Sequence, residues 1–195
     1  MKDHRSPFEM LGRVPGLKRH SLAVAESAFD LGVADGWSPG DCARLYSAGL
    51  LHDVGLPIVV EPDVVARAGP LRSVEKDAIR DHGAAGALWA GSLLDEEQAS
   101  WVAAHHERWD GRGYPAGLGG EEIPRGARLI AVAEAWDTMV RGRPYPRRLA
   151  PVAASRELLR GSGTQFCPEC VALALEVLGP GAQTGDEPHP RLMAG

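Results

Sequence analysis

EIPRGARLIAVAEAWD, residues 122–137, is the stretch of this 195-residue chain that indicates its fold class. Ala127, Ile130 and Glu134 recur at spacings of three and four, which is the period of one face of an α-helix. Pro124 stands where a helix tolerates proline, at its first turn. Several other windows repeat this helical spacing of apolar residues, and none shows the strict alternation of a strand. The sequence therefore predicts an all-α fold.

Capping residues predict further helix boundaries on both sides of this stretch. Ser38 and Pro39 suit the N-cap and first turn of one helix, and Asp95 with Gln98 forms the capping-box pattern of another. A glycine-rich loop is expected over residues 110–122. The remaining predicted helices are one from Leu17 to Val33, one from Ser73 with Ala78, His82, Ala85 and Trp89 on one stripe, and two short ones at 149–159 and 168–178.

Composition and length predict one domain and exclude several classes of function. The domain is expected over residues 17–178, between a flexible N-terminal flank at 1–16 and a Pro/Gly-rich C-terminal tail at 179–195. The net charge of −5 disfavours a nucleic-acid polymer as partner. No apolar run is long enough to span a bilayer and no secretory signal is evident, so we expect no membrane partner and a cytoplasmic location.

Five of the seven histidines fall at inward-facing ends of the predicted helices, together with two carboxylates. Imidazole and carboxylate groups suit first-row divalent metals, and a helical bundle can gather such ligands from several helices. A single buried histidine is more often a core residue, so the prediction depends on the joint order of the set. A bridging carboxylate and two metals favour phosphoester hydrolysis. The members are His20, His52, Asp53, His82, His105, His106 and Glu134.

Several strings in residues 17–178 resemble the HD-GYP subgroup of the HD-domain phosphohydrolases. The most specific of them is HHERWDGRGYP at 105–115, and residues 122–137 also agree with the family. The resemblance implies an HD-domain helical bundle with a glycine-rich GYP loop. The other strings are RHS at 19–21, LLHDVG at 50–55, DHGAAG at 81–86, RPY at 143–145 and GTQF at 163–166.

The resemblance implies a metal-dependent phosphodiesterase that hydrolyses cyclic di-GMP to pGpG and, in some members, onward to GMP. The seven residues named above would then be metal ligands, and Asp53 would have the catalytic role of bridging the metals and orienting the attacking hydroxide. Tyr114 and Arg143 match positions that approach the nucleotide and its phosphates. Gly16 stands where trinuclear members place an acid, so we expect two divalent metal ions, Fe or Mn. A signalling protein docking through the GYP loop and a homodimer stay open as further partners.

Two departures from the family pattern leave alternatives open. Leu56 stands where the HD-x-G-K pattern has a lysine, which removes a cation expected near the substrate phosphate. Glu134 stands where the family usually has aspartate, and Asp137 one turn later could share or support its work. One alternative is a degenerate module that binds nucleotide or a signalling partner without turnover. The other is a phosphohydrolase of a different nucleotide.

Cys167 and Cys170 form a C-x-x-C pair, and Cys167 stands where the family usually has aspartate. This spacing occurs in thioredoxin-like redox motifs and in half of a zinc site. No βαβ pattern surrounds the pair, and the third cysteine, Cys42, is distant in sequence. The sequence therefore favours a coincidental spacing of reduced thiols.

Overall fold

The structure is a computed structural model that describes residues 5–66, 70–142 and 148–181. Within these ranges the chain is helical, without a strand and with one isolated β-bridge between Ser162 and Phe166. The all-α prediction is confirmed. The helices are α1 (Pro7–Gly12), α2 (Leu17–Ala34), α3 (Pro39–Leu51), α4 (Leu56–Val59), α5 (Pro62–Ala66), α6 (Ser73–Arg80), α7 (His82–Ala90), α8 (Glu96–Ala104), α9 (Arg125–Arg141), α10 (Pro151–Gly161) and α11 (Pro168–Val177).

Helix α9 lies at the centre of the bundle and packs against α2, α8, α10 and α11. Ala127 and Ile130 of the predicted face are fully buried, whereas Glu134 is half-buried. Gly126 permits close packing on α8, because a Cβ at this position would overlap the indole ring of Trp101. None of the described helices has both the length and the apolar character that a bilayer-spanning segment needs. The opening stretch of sequence thus supplies the helix around which the others pack.

Two of the predicted helix starts are confirmed by hydrogen bonds at the caps. The Ser38 hydroxyl accepts the backbone N–H of Asp41 at 3.1 Å at the start of α3. At α8 the Asp95 carboxylate accepts the N–H of Gln98, and the Gln98 side chain accepts the N–H of Asp95, both at 2.9 Å. These side chains satisfy N–H groups that have no partner within the helix.

The single helix predicted from Ser73 is wrong, because the chain breaks at Asp81 into α6 and α7. Asp81 has φ −81° and ψ −7°, and its N–H bonds to the carbonyl of Ala78, three residues back, instead of to the carbonyl four residues back. This tight turn ends α6 and lets His82 begin a new helix. The predicted stripe from Ala78 to Trp89 is therefore divided between two helices.

The N-terminal flank also differs from the expectation of a flexible segment. Residues 7–12 form α1, which begins with a reciprocal capping box between Ser6 and Glu9. Met10 and Leu11 are fully buried in the same core as the rest of the bundle. Burying two large apolar side chains stabilises this helix on the domain by several kcal/mol, at about 1.5–3 kcal/mol each. Of the predicted C-terminal tail, residues 182–195 lie outside the described residues.

Candidate metal centre

Asp53 lies at the centre of a buried cluster of imidazole rings. It follows α3 directly, and only 2% of its surface is exposed. Its Oδ1 atom lies 3.1 Å from Nε2 of His82. Its Oδ2 atom lies 3.4 Å from Nε2 of His52 and 3.8 Å from Nε2 of His20. One carboxylate therefore faces histidines from α2, from the end of α3 and from α7.

The seven side chains predicted as ligands fall into two groups of four that share Asp53. In each group, one nitrogen or oxygen atom from every residue lies within 4.8 Å of the corresponding atoms of the others. This arrangement places all seven predicted residues around two neighbouring positions. The groups are Asp53, His82, His105 and His106, and His20, His52, Asp53 and Glu134.

Backbone carbonyls orient three of the histidines in the same way. A carbonyl oxygen only accepts hydrogen bonds, so Nδ1 of each ring carries the proton and donates it. In the neutral ring this leaves the Nε2 lone pair directed toward the cluster, as in histidines that bind metals. The bonds run from His52 to Gly49 at 2.7 Å, from His82 to Ile79 at 2.5 Å and from His105 to Val102 at 2.6 Å.

A carboxylate orients the fourth histidine, His20. Its Nδ1 atom lies 2.7 Å from Oδ2 of Asp137, and the other oxygen of Asp137 accepts a bond from Arg141 at 2.7 Å. Asp137 thus supports His20 and is a member of neither group of four. Nε2 of His20 is buried and has no hydrogen-bond partner in the described part of the chain. A buried nitrogen or oxygen atom that has a lone pair and no hydrogen-bond partner is suited to bind a divalent metal ion.

Glu134 reaches the cluster despite departing from the family pattern. It lies on α9, one turn before Asp137, and one of its carboxylate oxygens belongs to the second group. The additional methylene of glutamate is therefore compatible with this position.

Charges within the cluster compensate one another. Burial opposes ionisation of Asp53, but the neighbouring His52 and His82 hold the pKa of this carboxyl well below its usual range. Burial opposes protonation of His52, yet the Asp53 carboxylate raises the pKa of this imidazole to about 9, and it raises the pKa of His82 in the same way. Burial and the adjacent His106 and His82 lower the pKa of His105 well below its usual value. In the metal-free chain, the Asp53 carboxylate thus favours the protonated form of both His52 and His82.

Tyr114 of the GYP loop lies against the cluster. The centroid of its ring is 4.9 Å from that of His106, and the two planes are inclined by 31°. The guanidinium of Arg80 lies over the same tyrosine ring at 5.7 Å. The structure therefore places Tyr114 beside the cluster, and its role in binding substrate stays a prediction. Arg143, predicted to contact phosphate, lies outside the described residues.

The buried carboxylate of Glu107 holds the GYP loop in place. One of its oxygens accepts the N–H groups of Ala116 at 2.7 Å and Gly117 at 3.1 Å. Gly113 lies so close that a Cβ there would come within 2.5 Å of Cα of Glu107. Glu107 is not among the predicted site residues. The HHE string contains it, but the sequence does not indicate that its side chain turns toward the loop.

Two cavities reach the cluster. One of about 480 Å³ is lined in part by His105, His106 and Glu134. The other, of about 320 Å³, is lined in part by His20 and by the buried Leu56. The wall of the second cavity also carries the basic side chains Arg19, Arg141 and Arg148. Cations are thus present beside the leucine that replaces the family's lysine.

Comparison with known proteins agrees with this geometry. An HD domain family model matches residues 9–169. The cyclic di-GMP phosphodiesterase response regulator RpfG of Xanthomonas campestris pv. campestris is 37% identical over 167 residues, which are 84% of this chain and 40% of that protein. The 3'3'-cGAMP-specific phosphodiesterase 1 of Vibrio cholerae is 31% identical over 128 residues, which are 65% of this chain and 30% of that protein.

Solved structures share the fold. The crystal structure of a cyclic GMP-AMP specific phosphodiesterase of V. cholerae (V-cGAP3) superposes with a TM-score of 0.68 at 19% identity, over 88% of this chain and 47% of that one. The chain spans well under half the length of both curated relatives.

Proposed function

This chain belongs to the HD-domain family of phosphohydrolases, in its HD-GYP group, and from that premise we propose that it is a metal-dependent phosphodiesterase of cyclic di-GMP. Hydrolysis would open the cyclic dinucleotide to linear pGpG, with GMP as a second product if the linear form is cleaved again. One observation carries the proposal above all others. It is the pair of four-residue groups that share the buried carboxylate of Asp53.

The donor set supports two divalent metal ions, with Fe or Mn as the metals proposed. When bound, such a pair lowers the pKa of a water molecule and neutralises charge on the phosphate under attack. Asp53 would bridge the two positions, since both groups include it. Asp137 would hold His20 in the required tautomer. The ligands proposed are His20, His52, Asp53, His82, His105, His106 and Glu134.

Side chains beside the cluster have the chemistry to bind a cyclic dinucleotide. The GYP loop offers the half-buried aromatic ring of Tyr114 beside the cluster, and a purine base could stack on such a ring. The arginines of the 320 Å³ cavity can pair with phosphate oxygens, a contact that suits the planar guanidinium group. We propose Tyr114 and Arg143 as the substrate-binding residues carried by the family pattern.

The two alternatives differ in the observations that favour them. A degenerate module without turnover is favoured by Leu56, which is buried and carries no charge. The same alternative is weakened at Glu134, whose carboxylate reaches the second group. A different substrate is favoured by the curated relative specific for 3'3'-cGAMP. Fold and metal ligands do not decide between two cyclic dinucleotides.

The experiment is turnover by protein loaded anaerobically with Fe²⁺ or Mn²⁺, with cyclic di-GMP and 3'3'-cGAMP as separate substrates and products resolved by chromatography. We expect pGpG or GMP from cyclic di-GMP. Asp53→Asn should lose both bound metal and turnover, whereas Asp77→Asn, a change at an exposed carboxylate of α6, should retain both.

Absence of product from demonstrably metal-loaded protein would refute the proposal in favour of a binding module. Faster cleavage of 3'3'-cGAMP would reassign the substrate. A homodimer stays a prediction, which light scattering would test. A signalling partner at the GYP loop also stays a prediction, which a binding measurement with the isolated partner would test.

A further inference from the structure

Cys167 and Cys170 lie at the N-terminus of α11, away from the candidate metal centre. Cys167 is the N-cap residue of this ten-residue helix, and Cys170 is three residues further along. Residues with this spacing are neighbours on a helix surface. Both thiols are free; Cys167 is 3% exposed and Cys170 is fully buried. Cys167 thus retains a slight contact with solvent, whereas Cys170 has none.

Two arginines of α9 converge on the Cys167 sulfur. Nη1 of Arg125 lies 3.6 Å from it, and Nη1 of Arg128 lies 3.8 Å from it. Cys167 also occupies the N-cap of α11, where the positive end of the helix dipole favours a negative charge. A sulfur that accepts hydrogen bonds from two guanidinium groups at a helix N-terminus is stabilised as a thiolate.

Neighbouring residues hold these arginines in place. Arg125 makes a bidentate pair with Asp35 of α2, at 2.6 and 2.9 Å, and a further bond to Glu169 at 2.8 Å. Arg128 lies over the ring of Trp109 in the GYP loop at 5.7 Å. These contacts link α9 to the end of α2, to α11 and to the segment at Trp109. The arginines are thus fixed beside Cys167 by tertiary packing.

We propose that Cys167 and Cys170 are a redox-active dithiol, in which Cys167 is the nucleophile and Cys170 the resolving thiol. The oxidant is a low-molecular-weight disulfide of the glutathione class. The Cys167 thiolate attacks one sulfur of the oxidant, forms a mixed disulfide and releases one thiolate. Cys170 then loses its proton to solvent and attacks the Cys167 sulfur, which releases the second thiolate and closes the Cys167–Cys170 disulfide. The protein loses two electrons and the oxidant gains them.

The ionisation of the two thiols supports this division of roles. The hydrogen bond from Cys170, together with the backbone and Arg128, lowers the pKa of the Cys167 thiol to about 5, although burial opposes this. The same contact and burial raise the pKa of the Cys170 thiol. A low-pKa thiol attacks first, and a protonated, buried neighbour follows. No third metal-ligating side chain joins the pair within the described ranges, which argues against a zinc site.

The first test is the pH dependence of alkylation at each cysteine, measured on the full chain by peptide mapping. An ordinary thiol of pKa about 8.5 gains thiolate roughly 50-fold between pH 6.5 and pH 8.5. We expect the alkylation rate of Cys167 to rise less than about 2-fold over this range, since its thiol is already ionised. Arg128→Gln should steepen the rise. A rise for wild-type Cys167 like that of an ordinary thiol would overturn the proposal.

The second test is oxidation of the folded chain with oxidised glutathione, followed by mass spectrometry. Wild type should lose two hydrogen masses at Cys167 and Cys170 while Cys42 stays reduced. Cys170→Ser should instead accumulate one glutathione adduct at Cys167, and Cys167→Ser should show neither product. Circular dichroism checks that each variant is folded. Three free thiols in the treated wild type, or an adduct formed only at Cys42, would refute the dithiol. These readouts do not depend on turnover of cyclic di-GMP.

Discussion

Gly55, two residues after Asp53, gives the sharpest test of how packing builds the candidate metal centre. Its φ of −76° suits any residue, so the backbone conformation does not require glycine. The requirement is close approach to α7. A Cβ at this position would overlap the carbonyl oxygen of His82 and lie 2.6 Å from the backbone nitrogen of Gly86. Gly55→Ala therefore forces the Gly55 segment and α7 apart.

The size of the effect follows from these distances. Non-bonded contacts to carbon are comfortable at about 3.5 Å or more, so the two segments must separate by about 1–1.5 Å. Because metal sites tolerate only about 0.2 Å of error in ligand distances, His82 would leave its place 3.1 Å from Asp53. We expect an overpacking cost of about 2 kcal/mol, a fall in melting temperature of about 4–8 °C, and at least about 10-fold weaker metal binding.

Thermal unfolding and metal titration of Gly55→Ala measure both effects. The matched control is Gly12→Ala in α1, where a Cβ would meet nothing within 4 Å. It replaces glycine in a helix without a clash and should raise the melting temperature by about 1–4 °C, with unchanged metal affinity. Wild-type stability and metal affinity in Gly55→Ala would refute the argument from close approach.

Three further substitutions test separate contacts. Asp137→Asn removes the charge that orients His20 and should weaken metal binding about 10–100-fold by calorimetry; unchanged affinity would show that this contact is dispensable. Asp35→Asn should cost about 1–3 kcal/mol at pH 7, because it removes the charge paired with Arg125. The hydrogen bond from Arg125 lowers the pKa of Asp35, so this stabilisation is present above the usual carboxyl range and is lost as pH falls through the lowered pKa. Urea unfolding should show the difference in unfolding free energy between wild type and Asp35→Asn shrinking toward pH 2. A difference that does not change with pH would contradict this. Leu56→Lys adds a cation to the 320 Å³ cavity and should raise turnover of cyclic di-GMP by up to about 100-fold, whereas Leu56→Met should not; an equal rate in both would mean that existing arginines already supply the charge.

Local sequence signals predicted much of the fold correctly. The period of α9 and the caps at Ser38 and Asp95 all appear in the structure. Each depends on residues within about four positions of one another, so the sequence contains the whole interaction. The order of histidines and carboxylates likewise predicted the side chains that the structure brings together, because the histidines and Asp53 lie near helix ends and Glu134 lies on the periodic face of α9.

The break at Asp81 and the burial of α1 were not predictable in this way. The helical spacing of apolar residues continues from Ala78 to Trp89. This local pattern contains no information on the close contact between α7 and Gly55, which is distant in sequence. In α1, Met10 and Leu11 span too short a stretch to show a period, and their burial depends on core residues far along the chain. Local propensity was overridden by close packing between distant segments.

By itself, the sequence determined an all-α chain and a set of histidines and carboxylates, proposed as metal ligands, in a family-like order. Only the tertiary structure decided that Asp53 is shared between two groups, that Glu107 holds the GYP loop, and that Cys167 faces two arginines. The physical reason is the distance along the chain over which each interaction acts. Helix period and caps act within one or two turns, whereas a shared carboxylate or an ionised thiol depends on which helices approach one another across the core.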